Sequence, residues 1–316
     1  MSNTILLSIC IPTYNRAGFL RNTLESITAQ KGFDNRVEIV ISDNCSTDNT
    51  SDVVLNFQKR FENIVYHCNE HNIQDKNFIM VLSLGKGLYL KLLNDTALVS
   101  QDSLLEILNI VEKFRIEQPV LFFANGTNKT KKDLLLFNDL NSFLKETSFY
   151  VTWIVTFGIW KKHFDAIINK YEGIELNLVQ TMLLFKNISN RKQVLVISNE
   201  HFIVEEVKNK GGYNLINVFV GNYLGKIVFS FYKKNEITRS TYIIEKTKLL
   251  KFFLFPWLYR SRKINSEYRF LTKGSNLLLL KYYGLNPLFY YYMAKLNLKL
   301  FLNRYFNKGK MPVIIL

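Results

Sequence analysis

The sequence predicts an α/β protein: a mostly parallel sheet flanked by helices, followed by a basic, aromatic-rich helical C-terminal region. Apolar, β-branched runs alternate with stretches of helical periodicity from Ile5 to Ala124, the signature of strand–helix–strand units with right-handed crossovers. The first two runs stop abruptly in polar turn residues and give way to helical patterns, as strands do when they end in a loop. From Lys226 to Leu316 the chain carries 18 Lys and Arg against three acids (Glu236, Glu245, Glu267) and 20 of its 45 aromatic residues. That balance of +15 equals the net charge of the whole chain, so the preceding residues are neutral. A shift of this size predicts a domain boundary near residue 220, dividing the chain into 1–220 and 221–316.

The strand runs are Ile5–Ile11, Val37–Ser42, Ile64–His67, Leu88–Leu93 and Val120–Ala124. Between them Phe19, Leu20, Leu24 and Ile27 share one helical face, as do Val53, Val54, Phe57 and Phe61, and then Leu104, Leu105, Leu108 and Val111 behind an N-cap at Asp102. From Lys131 to Leu176 the pattern is mixed, with a strand-like run at Tyr150–Ile159 and a helix from Lys161 to Lys170. A further helix follows at Leu176–Lys186, and Gly211-Gly212, after the apolar stretch Val194–Val207, reads as the exit from the sheet domain.

With 316 residues and 48% apolar content, the chain can bury one large core or two modest ones. Cys10, Cys45 and Cys68 have neither paired nor metal-like spacing, which predicts a reduced, cytoplasmic chain. The opening residues read as a strand, not a signal peptide, and no run of about 20 apolar residues predicts a spanning helix. His67 and His71 make a poor zinc pair, with no Cys or third His near them.

Three motifs carry the chemistry. The first strand ends in Ser8-Ile9-Cys10-Ile11-Pro12-Thr13-Tyr14-Asn15-Arg16, the second in Val40-Ile41-Ser42-Asp43-Asn44-Cys45-Ser46-Thr47-Asp48-Asn49-Thr50, and the fourth reads Gly87-Leu88-Tyr89-Leu90-Lys91-Leu92-Leu93-Asn94-Asp95-Thr96. In an open α/β sheet, the crevice outside the carboxyl ends of the strands binds nucleotides. Pro12 to Arg16 can offer a flat aromatic and backbone polar groups to a base, and a guanidinium to phosphate or to structural acids. Asp43 can accept a hydrogen bond or close an Asx turn, and Asp48 suits the cap of the next helix.

On these motifs, over roughly the first 115 residues and more weakly to about residue 210, the chain resembles the inverting family 2 glycosyltransferases of the GT-A, Rossmann-like fold, especially the bacterial enzymes of lipopolysaccharide and capsule assembly. The resemblance implies donor contacts from Pro12, Thr13, Tyr14, Asn15, Arg16, Asp43 (to a pyrimidine imide), Asn44, Lys76, Asn77, Asn94 and Asp95. It also implies Mg²⁺ or Mn²⁺ at Asp95, with Thr96 standing where the family carries its usual acid. A general base would stand beyond the metal loop, before a closing helix; Asp165, Glu172 and Glu175 are the acids available, and Glu175 is also read as a first-turn acid of the helix at Leu176. Trp153, Trp160 and Phe157 are aromatic surfaces for a sugar ring or core residues.

The function so implied is transfer of a sugar, with inversion, from a nucleotide-sugar donor to a lipid-linked saccharide acceptor, at the inner face of a bacterial cytoplasmic membrane. The basic aromatic tail predicts contact with an anionic membrane surface. A nucleotidyltransferase is the alternative enzyme, but no Gly-rich, base-bearing triphosphate loop opens the chain. A nucleic-acid binder would leave the strand-end loops unexplained, and no reading motif is present.

Overall fold

A computed structural model describes residues 4–127, 132–207 and 211–306. Lys131, where the mixed stretch begins, and the last ten residues of the basic region lie outside these. The chain forms two compact units, Met1–Glu206 and Val207–Leu316.

The first unit runs β1 (Leu7–Thr13), α1 (Ala17–Thr28), β2 (Val37–Asp43), α2 (Thr50–Gln58), β3 (Ile64–Cys68), α3 (Lys76–Leu84), β4 (Tyr89–Leu92), β5 (Ala97–Val99), α4 (Ser103–Lys113) and β6 (Val120–Phe123). It continues through β7 (Leu134–Phe137), α5 (Leu140–Thr147), β8 (Gly158–Trp160), α6 (Lys161–Asp165), α7 (Val179–Arg191), β9 (Val194–Ile197) and β10 (Phe202–Val204). The main sheet has the order β3-β2-β1-β4-β8, parallel except for β8. Two smaller sheets complete the unit: β10 antiparallel to β5, and β6-β9-β7.

β1 and β2 are almost wholly buried, as strands covered by helices on both faces must be. Leu20, Leu24 and Ile27 of α1, and Val53, Val54 and Phe57 of α2, pack on the sheet as their spacing predicts. At roughly 25 cal/mol per Å², each fully buried side chain of this kind contributes about 1.5–3 kcal/mol. Gly158 is needed where β8 crosses β4: a Cβ there would land on the Tyr89 ring.

The run Tyr150–Ile159 is not a strand until its end. Residues Ser148–Thr152 and Ile154–Thr156 are two 3₁₀ turns, and only Gly158–Trp160 joins the sheet. The helix expected to Lys170 stops at Asp165, and α7 begins at Val179, because Asn177 adopts a left-handed conformation (φ 58°) between a short 3₁₀ turn, Ile174–Leu176, and the helix. Asp102 occupies the N-cap position of α4, but at φ 61° its side chain makes no cap hydrogen bond.

The second unit is helical: π-helical turns at Asn217–Val228 and Leu249–Leu254, with α8 (Phe229–Lys233), α9 (Arg239–Lys248), α10 (Phe255–Arg262), α11 (Ser275–Tyr283) and α12 (Pro287–Phe306). Tyr223, Leu224, Ile227, Leu249 and Leu254 form part of its core, where the Tyr223 hydroxyl donates to Glu245 Oε1 at 2.9 Å. Among the described residues no helix is long and apolar enough to cross a membrane.

Candidate active site

In the order β3-β2-β1-β4 the chain leaves β1 toward β2 on one side and returns to β4 on the other. A crevice opens at such a switch point, outside the carboxyl ends of β1 and β4. The loops that follow β1, β2 and β4 meet at this edge through side chains drawn from all three motifs.

Asp95 is the centre of the meeting. Its Oδ2 accepts from Thr13 Oγ1 at 2.9 Å and its Oδ1 from Arg16 Nη1 at 3.0 Å. From below, Thr23 on the buried face of α1 donates to the Asp95 carbonyl at 2.9 Å. Asp95 is 4% exposed. Burial raises its pKa, and the Arg16 charge and the two side-chain hydrogen bonds work against that rise. The Arg16 side chain is 41% exposed, so its guanidinium can reach a ligand without leaving Asp95.

Asp43, at the end of β2, is also buried. Its Oδ1 accepts from the Ser46 amide at 2.9 Å, the Asx turn open to it from sequence, and its Oδ2 accepts from the Tyr66 hydroxyl at 2.8 Å. Burial and the Asp43 carboxylate push the Tyr66 hydroxyl's pKa up, so it stays a donor. Each Asp43 oxygen keeps a lone pair for a ligand.

The first two loops are stitched together. The Asn15 amide donates to Ser46 Oγ (2.8 Å), and Asn15 Oδ1 accepts from the Thr47 amide (2.7 Å), with Asn15 at φ 50°. Asp48 accepts from Thr50 and from the Ala17 amide, holding the starts of α2 and α1 at once. Tyr14 is 43% exposed beside them, free to lie against a base.

Two of the residues expected at the donor, Asn77 and Asn44, make structural hydrogen bonds. Asn77 is 3% exposed; its amide donates to the Ser42 carbonyl and accepts from Ser42 Oγ and Asn69 Nδ2. With its polar atoms engaged inside, it braces the end of β2. Asn44 ties the loop before α3 through Asn72 and the Ile73 amide. Lys76 is exposed at the start of α3, Pro12 is half-buried in β1, and Asn94 accepts from the Ala97 amide through its carbonyl.

Glu175 stands exposed on the 3₁₀ turn Ile174–Leu176, four residues before α7, so it is not a first-turn acid of that helix. The turn is nevertheless fastened to the start of α3: Asn177 Nδ2 donates to Asp75 Oδ2 at 3.1 Å. Asp75, at the N-cap of α3, has its pKa raised by burial. In sequence it looks like an ordinary helix cap, and nothing in its spacing marks it.

Glu205 is another residue the motifs do not flag. Its amide donates to the Thr96 carbonyl at 2.8 Å as β10 runs beside β5. Its Oε1 accepts from Asn22 at 3.2 Å, while Oε2 is buried without a hydrogen-bond partner among the described residues. Only the pairing of β10 with β5, in which Val204 lies opposite Ala97, brings it to Thr96.

The set fits a protein-held divalent ion poorly. Asp95 supplies one carboxylate, both of whose oxygens are engaged and one of which faces a cation. Thr96 adds at most a hydroxyl, and among the described residues no three His, Cys, Asp or Glu side chains cluster as metal ligands. Neither His67 nor His71 belongs to such a cluster.

Against protein-family profiles, residues 8–167 match "Glycosyl transferase family 2". The chain belongs to this family. The family 2 match spans β1 through α6 and so contains all three motif loops. Among curated relatives, abequosyltransferase RfbV of Salmonella typhimurium is 38% identical over 102 residues, 32% of this chain and 31% of that one. The GalNAc(5)-diNAcBac-PP-undecaprenol beta-1,3-glucosyltransferase of Campylobacter jejuni is 39% identical over 71 residues, 22% of either chain. The aligned segments thus span a third or less of these relatives.

Solved structures extend the likeness to the whole fold. S. aureus TarS 1-349 superposes with a TM-score of 0.59 at 16% identity, covering 96% of this chain and 92% of that one. The mannosyltransferase PcManGT from Pyrobaculum calidifontis, solved with GDP-Man and Mn²⁺, gives 0.54 at 12% identity, covering 97% and 88%. The family 2 chain therefore has the GT-A fold, and its motif loops lie at the carboxyl edge of the GT-A sheet.

Proposed function

We propose that this chain transfers a sugar from a nucleotide-sugar donor to a lipid-linked saccharide acceptor, with inversion, in the assembly of a cell-surface polysaccharide. The observation that carries the reading is the convergence of Thr13, Arg16 and Asp95 at the switch point, one loop away from Asp43. Such a crevice suits a nucleotide, with Tyr14 and Asp43 toward the base and the exposed face of Arg16 toward the diphosphate.

Mechanistically, transfer requires that charge developing on the departing diphosphate be stabilised and that the acceptor hydroxyl lose a proton. Arg16 meets the first need. Asp95 holds its guanidinium, and a cation fixed before the reaction begins needs no reorganisation as charge develops. The acid for the second is Glu175, on a turn anchored to the start of α3 through Asn177 and Asp75. In-line attack by the acceptor hydroxyl, with its proton passing to Glu175, inverts the anomeric centre.

The lipid-linked acceptor is supported by the Campylobacter relative, whose name specifies an undecaprenol-linked substrate, and by the second unit of this chain. On α12 only Phe289 and Leu296 are buried, whereas Leu288, Tyr290, Leu298, Phe301 and Tyr305 are exposed beside Lys295, Lys299 and Arg304, with no acid on the helix. Exposed aliphatic and aromatic groups interleaved with bases suit the headgroup layer of an anionic membrane, so the reading is of a peripheral protein on its cytoplasmic face.

A thermal-shift panel of UDP-, GDP-, CDP- and dTDP-sugars tests the donor. One nucleotide is expected to raise Tm, and that rise is expected to shrink in Asp43→Ala at the same nucleotide concentration. No shift with any of the four overturns the donor reading.

A further inference from the structure

The three aromatic residues that could face a sugar ring separate sharply in space. Trp160 is fully buried, its Nε1 donating to the Pro119 carbonyl at 2.7 Å, and Phe157 is 1% exposed. Both are core. Trp153 is 39% exposed, between the two 3₁₀ turns, with Tyr150 edge-on to its ring at 5.4 Å and 88°.

Its backbone is held along the whole strap. The carbonyls of Val151 and Thr152 accept from Thr181 Oγ1 and Gln180 Nε2 of α7, and that of Trp153 accepts from Thr156 Oγ1. The carbonyls of Val155 and Phe157 accept from Lys91 Nζ, at 2.5 and 3.0 Å. Lys91 lies in β4, 1% exposed, its Nζ also 5.2 Å from the Phe123 ring centroid and 4.8 Å from that of Phe202. Burial lowers the pKa of Lys91 well below the ordinary lysine range.

Register says where the strap is fastened. Lys91 pairs with Gly158 in the antiparallel β4–β8 ladder, and the Leu92 amide donates to the Phe157 carbonyl. Residues before Gly158 therefore continue past the carboxyl end of β4, the end from which Asn94 and Asp95 emerge. An exposed indole on a rigid backbone at that edge loses little freedom when a ligand stacks on it.

We propose that Trp153 is the stacking platform for the acceptor's terminal sugar ring, on the strap that Lys91 fastens beside β4. This rests on the glycosyltransferase reading and specifies its acceptor subsite: a pyranose presenting an apolar C–H face. Trp153 is a binding group and takes no part in proton transfer.

The test uses the full chain labelled with 5-fluorotryptophan, whose three ¹⁹F resonances report Trp153, Trp160 and Trp257, with Trp153 assigned by its absence in Trp153→Phe. Methyl glycosides of glucose, galactose, mannose, N-acetylglucosamine and N-acetylgalactosamine are titrated in turn. At least one is expected to shift the Trp153 resonance saturably and leave the others in place. With that glycoside as acceptor, Trp153→Ala should raise its KM roughly tenfold, leave the nucleotide-sugar KM within about twofold, and be largely rescued by Trp153→Phe. The proposal is overturned if no glycoside moves the Trp153 resonance, if all three resonances move alike, if only lipid vesicles move it, or if the alanine variant changes both KM values equally. Calorimetry of the wild type with UDP, GDP, CDP and dTDP reads the underlying activity separately: nucleotide binding without a Trp153 response sinks the platform alone, and no nucleotide binding sinks the glycosyltransferase reading.

Discussion

Arg16 and Asp95 lie 79 residues apart in sequence, and the Arg16 guanidinium sits 3.0 Å from the Asp95 carboxylate, which is itself bonded to Thr13. The contact crosses the switch point of the sheet and joins the loop after β1 to the loop after β4. It also fixes a permanent, partly exposed cation at the carboxyl edge of the sheet, which the proposed function assigns to the leaving diphosphate. Because burial works against the Asp95 charge, the pair is better explained by a task at the site than by a gain in stability.

Asp95→Asn separates task from stability. Transfer is expected to fall at least roughly a hundredfold, the scale for losing a group that organises charge at a reacting centre. Melting temperature at pH 8 should not fall. The sign follows from the raised pKa: the folded state holds the Asp95 proton to higher pH than the unfolded chain, so wild-type stability relative to the variant drops as pH rises from about 4 through the folded value, then levels off. Melting curves from pH 4 to 8 and an initial-rate assay check both parts.

Metal removal tests whether Arg16 is sufficient. The wild type is expected to keep most of its transfer rate in excess EDTA, since Asp95 alone is a sparse donor set and Arg16 already faces it. Thr96→Asp, which supplies a second carboxylate, should tighten Mn²⁺ binding measured by calorimetry. Full loss of wild-type activity in EDTA would assign the leaving-group charge to a metal.

Asp43 and Tyr66 make a graded pair. Asp43→Ala should weaken nucleotide binding by about 1–3 kcal/mol, the cost of stranding a buried partner. Tyr66→Phe removes one hydrogen bond to Asp43 and should cost a net of about 0.5–1.5 kcal/mol. Equal losses, or a larger one for Tyr66→Phe, would place the base contact elsewhere.

His163 predicts an acid-side weakness. It is 5% exposed on α6, its Nδ1 without a hydrogen-bond partner among the described residues, and burial first, then the nearby charges of Arg191 and Lys162, lower its pKa to about 4. The unfolded chain takes up the proton first, so stability should be lost as pH falls from about 6.5 toward 4, by up to about 3 kcal/mol. In His163→Gln that part of the pH dependence, measured by urea unfolding, should disappear.

Reversing charge on α12 tests the membrane surface. The triple variant Lys295→Glu, Lys299→Glu, Arg304→Glu should lose most of its binding to phosphatidylserine vesicles at low salt, each base being worth about 1 kcal/mol there, and nucleotide binding should be unchanged. Wild-type binding should weaken as salt rises. A wild type that fails to sediment with vesicles at low salt would make α12 a protein-contact helix.

The sheet was legible because its signals are local. β-branched runs ending at Ile11 and Ser42, one or two residues short of where the strands stop, and i, i+3, i+4 spacing at Leu20, Leu24 and Ile27, are read without knowing what packs on them. Where local preference and tertiary demand part, the reading failed. Tyr150–Ile159 has strand composition, yet Lys91 Nζ and α7 hold most of it as two 3₁₀ turns. α7 starts late because Asn177 turns left-handed and bonds to Asp75, a contact spanning 102 residues.

By itself the sequence determined the α/β alternation, the three motif loops, their family and the charge of the C-terminal third, since each is written in residue type and short spacing. The tertiary structure alone decided that Asp95 meets Arg16 and Thr13, that Tyr66 holds Asp43, that Glu205 reaches Thr96, and which of three aromatic residues stays in water. These are consequences of strand order and register, which bring residues 23 to 109 positions apart within bonding distance, and no local propensity encodes separations of that length.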